Sequence, residues 1–264
     1  MYSDATPMIK VDDFEEMVKR ADTIIVRAEG LMEFVNAMFL VDAIDASDFD
    51  GPGVNTLILP YIPGARQDRS NPTGDVLLTL HSVAEMINTR MFERVVVLDP
   101  HSPESTRIIN NVVSFPLELV GWANDAELRT RRFDGIIAAD KGGQARAEEM
   151  AVALRVPVFY GGKTRDVSTG RLSGFTLESI PKGHYLVADD ICDGGGTFIG
   201  LADKIREQGS TADLYVTHGI FSKGVEDLLK AYSTIYTTDS LAGSERDNQV
   251  TVLAVVEEME KYNE

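Results

Sequence analysis

Along this chain, short runs of β-branched and aliphatic residues alternate with stretches whose apolar positions recur every three or four residues. Thr23-Ile24-Ile25-Val26-Arg27-Ala28, Thr56-Leu57-Ile58-Leu59-Pro60-Tyr61 and Arg94-Val95-Val96-Val97-Leu98-Asp99 have the near-continuous apolar character of buried strands. Between the second and third, Val76, Leu77, Leu80, Val83, Ala84 and Ile87 form the stripe of a helix lying on a sheet. The rhythm restarts at Gly135–Ala139, Val156–Tyr160, His184–Ala188 and Ala212–Thr217. Strand, helix and strand in succession predict an α/β fold with mostly parallel sheets flanked by helices. The polar stretch 115–133, with Asn124-Asp125-Ala126-Glu127 and Arg129-Thr130-Arg131-Arg132, separates two strand-rich parts. It places a boundary near residue 118, between an N-terminal α/β domain (1–117) and a C-terminal one (118–264), with the last segment able to return to the first domain.

Composition narrows the function classes. With 264 residues, 44% hydrophobic and 25% charged, the chain can build the core of one large domain or two small ones, which excludes a disordered protein. There is no run of about 18 apolar residues and no basic-then-apolar leader, so the expectation is a soluble protein without a membrane partner. The single cysteine, Cys192, excludes an internal disulfide and a cysteine-based zinc site, and suits the cytoplasm. A net charge of −17 argues against nucleic acid, whose phosphates need clustered Lys and Arg. Phosphorylated small molecules would have to be met by local cations or by Mg²⁺. The acidic segment Glu257–Glu264 reads as a solvated helix face.

The chemically informative segment is His184-Tyr185-Leu186-Val187-Ala188-Asp189-Asp190-Ile191-Cys192-Asp193-Gly194-Gly195-Gly196-Thr197. A helix follows, with Phe198, Leu201, Ala202 and Ile205 on one face and Gly209 as its stop. A strand ending in two acids, then glycines, then a helix N-terminus offers backbone amides to an anion. The acids would repel a phosphate but suit the vicinal hydroxyls of a ribose and water around Mg²⁺. Asp189, Asp190, Asp193, Gly194, Gly195, Gly196 and Thr197 are thus candidates for a sugar-phosphate site; an ordinary glycine turn with exposed acids is the plainer reading.

This loop resembles the phosphoribosyl diphosphate loop of type I phosphoribosyltransferases and ribose-phosphate diphosphokinases. Four further segments favour the second family. Tyr61-Ile62-Pro63-Gly64-Ala65-Arg66-Gln67-Asp68-Arg69 is similar to its Tyr-Ala-Arg-Gln-Asp-Arg segment, and Leu98-Asp99-Pro100-His101 to its Asp-Leu-His. Ala139-Asp140-Lys141-Gly142-Gly143 resembles Pro-Asp-x-Gly-Gly, and Thr217-His218-Gly219-Ile220-Phe221-Ser222 matches Thr-His-x-Ile-Phe-Ser. The resemblance implies two phosphoribosyltransferase-like domains and ATP contacts from Arg66, Gln67, Asp68 and His101. It also implies Mg²⁺ near His101 and Asp140, a mobile catalytic loop with Lys163 and Arg165 on the transferred phosphates, a supporting role for His218, and a homo-oligomer, dimer or hexamer. The activity it implies is Mg²⁺-dependent transfer of diphosphate from ATP to the 1-hydroxyl of ribose 5-phosphate, with release of AMP.

Three departures stand out. The family's Phe-x-Asp-Gly-Glu segment has no counterpart in Met1–Gly30. The usual Asp-Thr-Gly-Gly-Thr is here Asp193-Gly194-Gly195-Gly196-Thr197, one hydroxyl donor fewer, and residues 164–175 differ from the usual arginine- and proline-bearing loop. Loss of the threonine would admit a 5-phosphate with another group attached, so a larger acceptor such as ADP-ribose competes with ribose 5-phosphate. A phosphoribosyltransferase and a non-catalytic regulatory homologue also compete with the diphosphokinase reading. Arg66–Arg69 and His101 speak against the transferase, and Lys163, Arg165, His101 and Asp140 against the regulatory homologue.

Overall fold

The structure is a computed structural model that describes residues 12–69, 78–117, 120, 131–165, 172–243 and 248–262. The chain divides into two compact units: residues up to Phe115 together with the segment from Met259, and Pro116–Glu258.

The first unit is built on four strands, β1 (Thr23–Ile25), β2 (Thr56–Leu59), β3 (Arg94–Leu98) and β4 (Val112–Phe115), all parallel and in sequence order. Its helices are α1 (Phe14–Val18), α2 (Leu31–Asp45), α3 (Thr79–Asn88) and α4 (Pro103–Ile108). Alternate residues of the central strands, Leu57 and Leu59 with Val95 and Val97, share a core with Phe34, Met38, Val41 and Ile44 of α2 and Leu80, Val83, Ala84 and Ile87 of α3. That is the period of two on the strands meeting the helical period of three and four. The expected α3 stripe is therefore present from Leu80 onward, while Val76 and Leu77 lie outside the described residues. The pattern does not announce α2, because it is apolar on its outward side too: Leu31, Met32 and Phe39 are exposed.

The second unit carries a seven-stranded sheet in the order β11-β10-β9-β8-β5-β6-β7. Its strands are β5 (Gly135–Ala138), β6 (Val158–Arg165), β7 (Leu172–Leu177), β8 (His184–Cys192), β9 (Thr211–Gly219), β10 (Ile235–Thr238) and β11 (Thr251–Leu253). All pairings are parallel except β6 with β7, an antiparallel hairpin. The helices are α5 (Gln144–Leu154), α6 (Gly196–Glu207) and α7 (Glu226–Ala231), and a last helix, α8 (Val256–Lys261), begins at the end of this unit and continues into the segment counted with the first. Phe198, Leu201, Ala202 and Ile205, the apolar face expected of α6, are buried with Ile137, Tyr185, Val187, Leu214 and Val216 of the strands. Gly209 has φ +74°, as a stop just beyond the helix requires.

This order contains a reversal. From β5 the chain crosses to β6 on one side, and after the hairpin it returns as β8 on the other side of β5. The loops leaving the C-terminal ends of β5 and β8 therefore part at a topological switch point, where open parallel sheets leave a crevice.

Two expectations change here. The resemblance implies a mobile loop carrying Lys163 and Arg165, whereas residues 163–165 belong to a strand: Lys163 pairs with Phe175 and Thr164 with Gly174. Glycine at positions 161, 162 and 174 masks the strand pattern. Asp189 and Asp190 do not follow the end of a strand at Ala188, as the residue pattern predicts. They lie inside β8, which continues to Cys192, and are 8% and 6% exposed.

Candidate active site

Asp140 stands two residues beyond β5. Its Oδ1 accepts the amides of Gly142 (2.8 Å) and Gly143 (3.3 Å), and its Oδ2 accepts from Nζ of Lys163 at 2.8 Å. Burial pushes the Asp140 carboxyl up, but the Lys163 ammonium and the two amides outweigh it and hold it below the usual carboxylate range. Gly143 allows the next strand's acid to approach: a Cβ there would come within 3.0 Å of Oδ1 of Asp189.

The guanidinium of Arg146, itself buried, joins the two acids of β8. Nη1 lies 3.2 Å from Asp189 Oδ1, and Nη2 is 3.9 Å from Asp190 Oδ2. Asp189 Oδ1 also accepts the Asp190 amide at 3.0 Å. Burial, then the neighbouring Asp190 charge, push the Asp189 carboxyl up to about 7 against the opposing pull of Arg146. Nothing in the residue pattern singles out Arg146. The signal available is its place on α5 right after Gly142-Gly143, where a helix opening on a glycine turn brings its first arginine to the strand ends.

After β8 come Asp193 and the glycines. Gly195 has φ +74°, a conformation that L side chains avoid, and a Cβ on it would meet Leu228 at 3.2 Å. Gly196 opens α6, and a Cβ there would meet nothing within 4 Å. Amides of the first turn have no acceptor within the helix, so together with Thr197 they form an exposed set of donors. Asp193 is tied to the loop after β9: its carbonyl accepts the Ser222 amide (3.2 Å) and its Oδ1 the Ser222 hydroxyl. His218, within β9, is buried with Nδ1 2.9 Å from Ser240 Oγ, a supporting position.

Asp140, Lys163, Asp189, Asp190, Asp193 and the glycine loop are thus all at the ends of β5, β6 and β8 around the switch point. The side chain of Arg165 lies outside what is described. The remaining candidates belong to the first unit. Arg66, Gln67 and Asp68 follow β2 in a tight turn in which the Gln67 amide bonds the Gly64 carbonyl (2.8 Å) and Gln67 Oε1 accepts from the Thr79 hydroxyl. Arg66 and Gln67 are exposed. His101 follows the adjacent β3 and is exposed too, two residues after Asp99, a buried aspartate held at φ +42°. Left-handed backbone at a non-glycine residue is a strain commonly found at functional loops. His101 and Asp140, both implied as metal-binding, are in different units.

Comparison with known proteins shows what the chain is similar to. No protein-family model matches the chain. Ribose-phosphate pyrophosphokinase of Mycoplasma pneumoniae is 30% identical over 211 residues, covering 79% of this chain and 64% of the relative. The protein of the same name from Vibrio parahaemolyticus is 26% identical over 267 residues, 96% of this chain and 82% of the relative. The chain thus spans just under two thirds of the length of the first relative and more of the second. The crystal structure of phosphoribosylpyrophosphate synthetase from Mycobacterium smegmatis superposes with a TM-score of 0.81 at 22% identity, covering 99% of this chain and 86% of that one. The chain is similar in sequence to the ribose-phosphate pyrophosphokinases and has the fold of phosphoribosylpyrophosphate synthetase.

Its fold is that of this crystal structure, with two phosphoribosyltransferase-like domains. Among the described residues no group of three or more His, Cys, Asp or Glu forms a cage for a metal ion, and no helix is long and apolar enough to cross a membrane. The donor set nevertheless fits Mg²⁺ in the form it takes with phosphorylated substrates. That ion keeps most of its water and needs only one or two carboxylates beside the substrate's phosphate oxygens, and Asp140, Asp189 and Asp190 are hard oxygen donors at the loop that would hold the sugar.

Proposed function

We propose that this chain transfers diphosphate from Mg-ATP to the 1-hydroxyl of ribose 5-phosphate, releasing AMP. The observation that carries the reading is the convergence at one switch point of a buried acid pair, a lysine–aspartate pair and a glycine loop opening a helix, in a chain similar to the ribose-phosphate pyrophosphokinases. In this reaction the ribose 1-oxygen bonds to the β-phosphorus, the bond from that phosphorus to the oxygen bridging to the α-phosphate breaks, and the hydroxyl proton passes to water.

Each residue then has a physical task. The amides of Gly194–Gly196 and the Thr197 hydroxyl bind the 5-phosphate at the positive end of α6. Asp189 and Asp190, held apart by Arg146, accept hydrogen bonds from the 2- and 3-hydroxyls. Bound Mg²⁺ would supply charge neutralisation on the phosphates, with Asp140 and the acid pair holding its water and His101 beside the ATP phosphates. Arg66, Gln67 and Asp68 bind ATP. Lys163, now on Asp140, would exchange that carboxylate for the β-phosphate, and Arg165 joins it there, because positive charge over the transferred group lowers the barrier. The proposed setting is the cytoplasm, which the single buried thiol of Cys192 suits, and the proposed assembly is the homo-oligomer that the sequence resemblance implies.

Product detection tests the proposal. Purified chain with Mg-ATP is offered ribose 5-phosphate or ADP-ribose in separate tubes, and products are read by phosphorus NMR. AMP with a 1-diphosphorylated sugar in the ribose 5-phosphate tube is the expected result. Faster turnover of ADP-ribose would instead name the larger acceptor, and ATP left intact in both tubes would overturn the reading.

A further inference from the structure

The loop after β9 is stitched onto the sugar-phosphate loop. The amides of Ile220 and Phe221 both bond the Cys192 carbonyl, at 2.9 and 3.0 Å, and the Ser222 amide bonds the Asp193 carbonyl at 3.2 Å. To make this turn Phe221 takes φ +46°, rare for so bulky a side chain, and Gly224 follows at φ +76° with its amide on the Phe221 carbonyl at 2.8 Å. The ring of Phe221 lies where any Cβ on Gly219 would be. A bulky residue held in left-handed backbone by several hydrogen bonds marks a loop whose direction matters.

That direction sends Lys223 across the anion loop. A Cβ on Gly194 would touch Cδ and Cε of Lys223, each at 3.4 Å, and Cγ at 3.8 Å. The methylenes of Lys223 therefore run alongside the position where Gly194 carries no side chain, and the ammonium is one bond, about 1.5 Å, beyond Cε. Among the described residues Lys223 is exposed and has no ion pair or hydrogen bond from its side chain. A cation laid over a loop of helix-opening amides, in a chain of net charge −17, is positioned for an anion.

We propose that Lys223 is a binding residue for the acceptor's 5-phosphoryl group, and that its ammonium supplies the donor that a loop with glycine at position 194 lacks. This rests on the reading of residues 193–197 as the sugar-phosphate loop. Gly194 and Lys223 are neighbours: a Cβ at 194 would already be in van der Waals contact with the lysine methylenes, so the lysine chain runs along the place where the usual threonine would stand. A charged donor on a flexible stem also follows a phosphoryl group as it changes from monoester to diester, which a short hydroxyl cannot do.

Kinetics of the full chain and its Lys223→Met and Lys223→Arg variants test this, with inorganic phosphate as a competitor and ribose 5-phosphate binding by calorimetry. Lys223→Met should raise KM for ribose 5-phosphate and the inhibition constant of phosphate about tenfold each, the scale of one charge-assisted hydrogen bond at an accessible site. KM for Mg-ATP and kcat should stay within about twofold, on the same grounds that a group acting on binding alone leaves the chemical step unchanged, and Lys223→Arg should keep most of the affinity. Unchanged acceptor KM and phosphate inhibition in Lys223→Met would overturn the proposal while leaving the reaction standing. If the wild type binds ribose 5-phosphate without turning it over, and Lys223→Met weakens that binding, the reaction falls and the role of Lys223 holds. A wild type that binds neither ribose 5-phosphate nor phosphate overturns it as well.

Discussion

Replacing Arg146 with methionine would keep most of the buried volume but remove the guanidinium lying 3.2 Å from Asp189 and 3.9 Å from Asp190, with the three side chains 9–11% exposed. At an effective dielectric near 20, each of two such charge pairs is worth about 4–5 kcal/mol of attraction, offset by the cost of burying the ions. Removing this positive partner leaves that cost uncompensated, so a net loss of about 3–5 kcal/mol is expected at pH 8, from a total that for such proteins is about 5–15 kcal/mol. The loss should depend on pH in a definite direction. Asp189 has a folded-state pKa raised to about 7, so stability linked to its proton is fully present below the unfolded value near 3.8 and is lost as pH rises through about 7. Without Arg146 the folded pKa rises further. Around pH 5 Asp189 is protonated in both proteins and one of the two pairs is already absent, so the difference between them should shrink by about half. Urea denaturation followed by circular dichroism at pH 5 and pH 8 measures both values, and adding Asp189→Asn to Arg146→Met should recover part of the pH 8 loss. Equal losses at the two pH values, or a loss below about 1 kcal/mol at pH 8, would refute the view that Arg146 neutralises the acid pair.

Lys163→Ala should lower kcat by about 100-fold or more while changing acceptor binding little, since its charge is called on when the β-phosphorus is attacked; an unchanged kcat would remove Lys163 from the chemistry. Gly200→Ala places a methyl group into the ring of Phe175, the residue paired with Lys163 across the hairpin, so it should impair turnover without touching any ligand-binding atom. Wild-type kcat in that variant would show that the hairpin's seat on α6 is not needed to position Lys163. Gly195→Ala forces a side chain into left-handed backbone and against Leu228, at a cost of about 1–2 kcal/mol from the backbone alone, and should weaken ribose 5-phosphate more than ATP. Equal KM values for the acceptor in wild type and variant would count against the glycine loop as the phosphate site.

Much of this protein is legible in its residue pattern, because the signals are local. The strands at 56–59, 94–98 and 135–138, the first half of β8 and the apolar face of α6 follow from side-chain pattern, and the turn at Gly195 from residue type within a few positions. Where the pattern is silent, a local reason exists: α2 is apolar on both sides, and the glycines of the β6–β7 hairpin erase its alternation. The tertiary structure alone decided which of these pieces meet. Lys163 reaches Asp140 across 23 residues, Ser222 reaches Asp193 across 29 and Arg146 reaches Asp189 across 43. The first contact depends on β6 lying beside β5, the second on β9 lying beside β8 and the third on β8 inserting beside β5 on the side away from β6, choices set by how whole faces bury against one another. No window of sequence encodes that order, so the acids and the glycine loop could be named from the chain, whereas the arginine that neutralises the acids and the lysine lying over Gly194 emerged only once the sheet had formed.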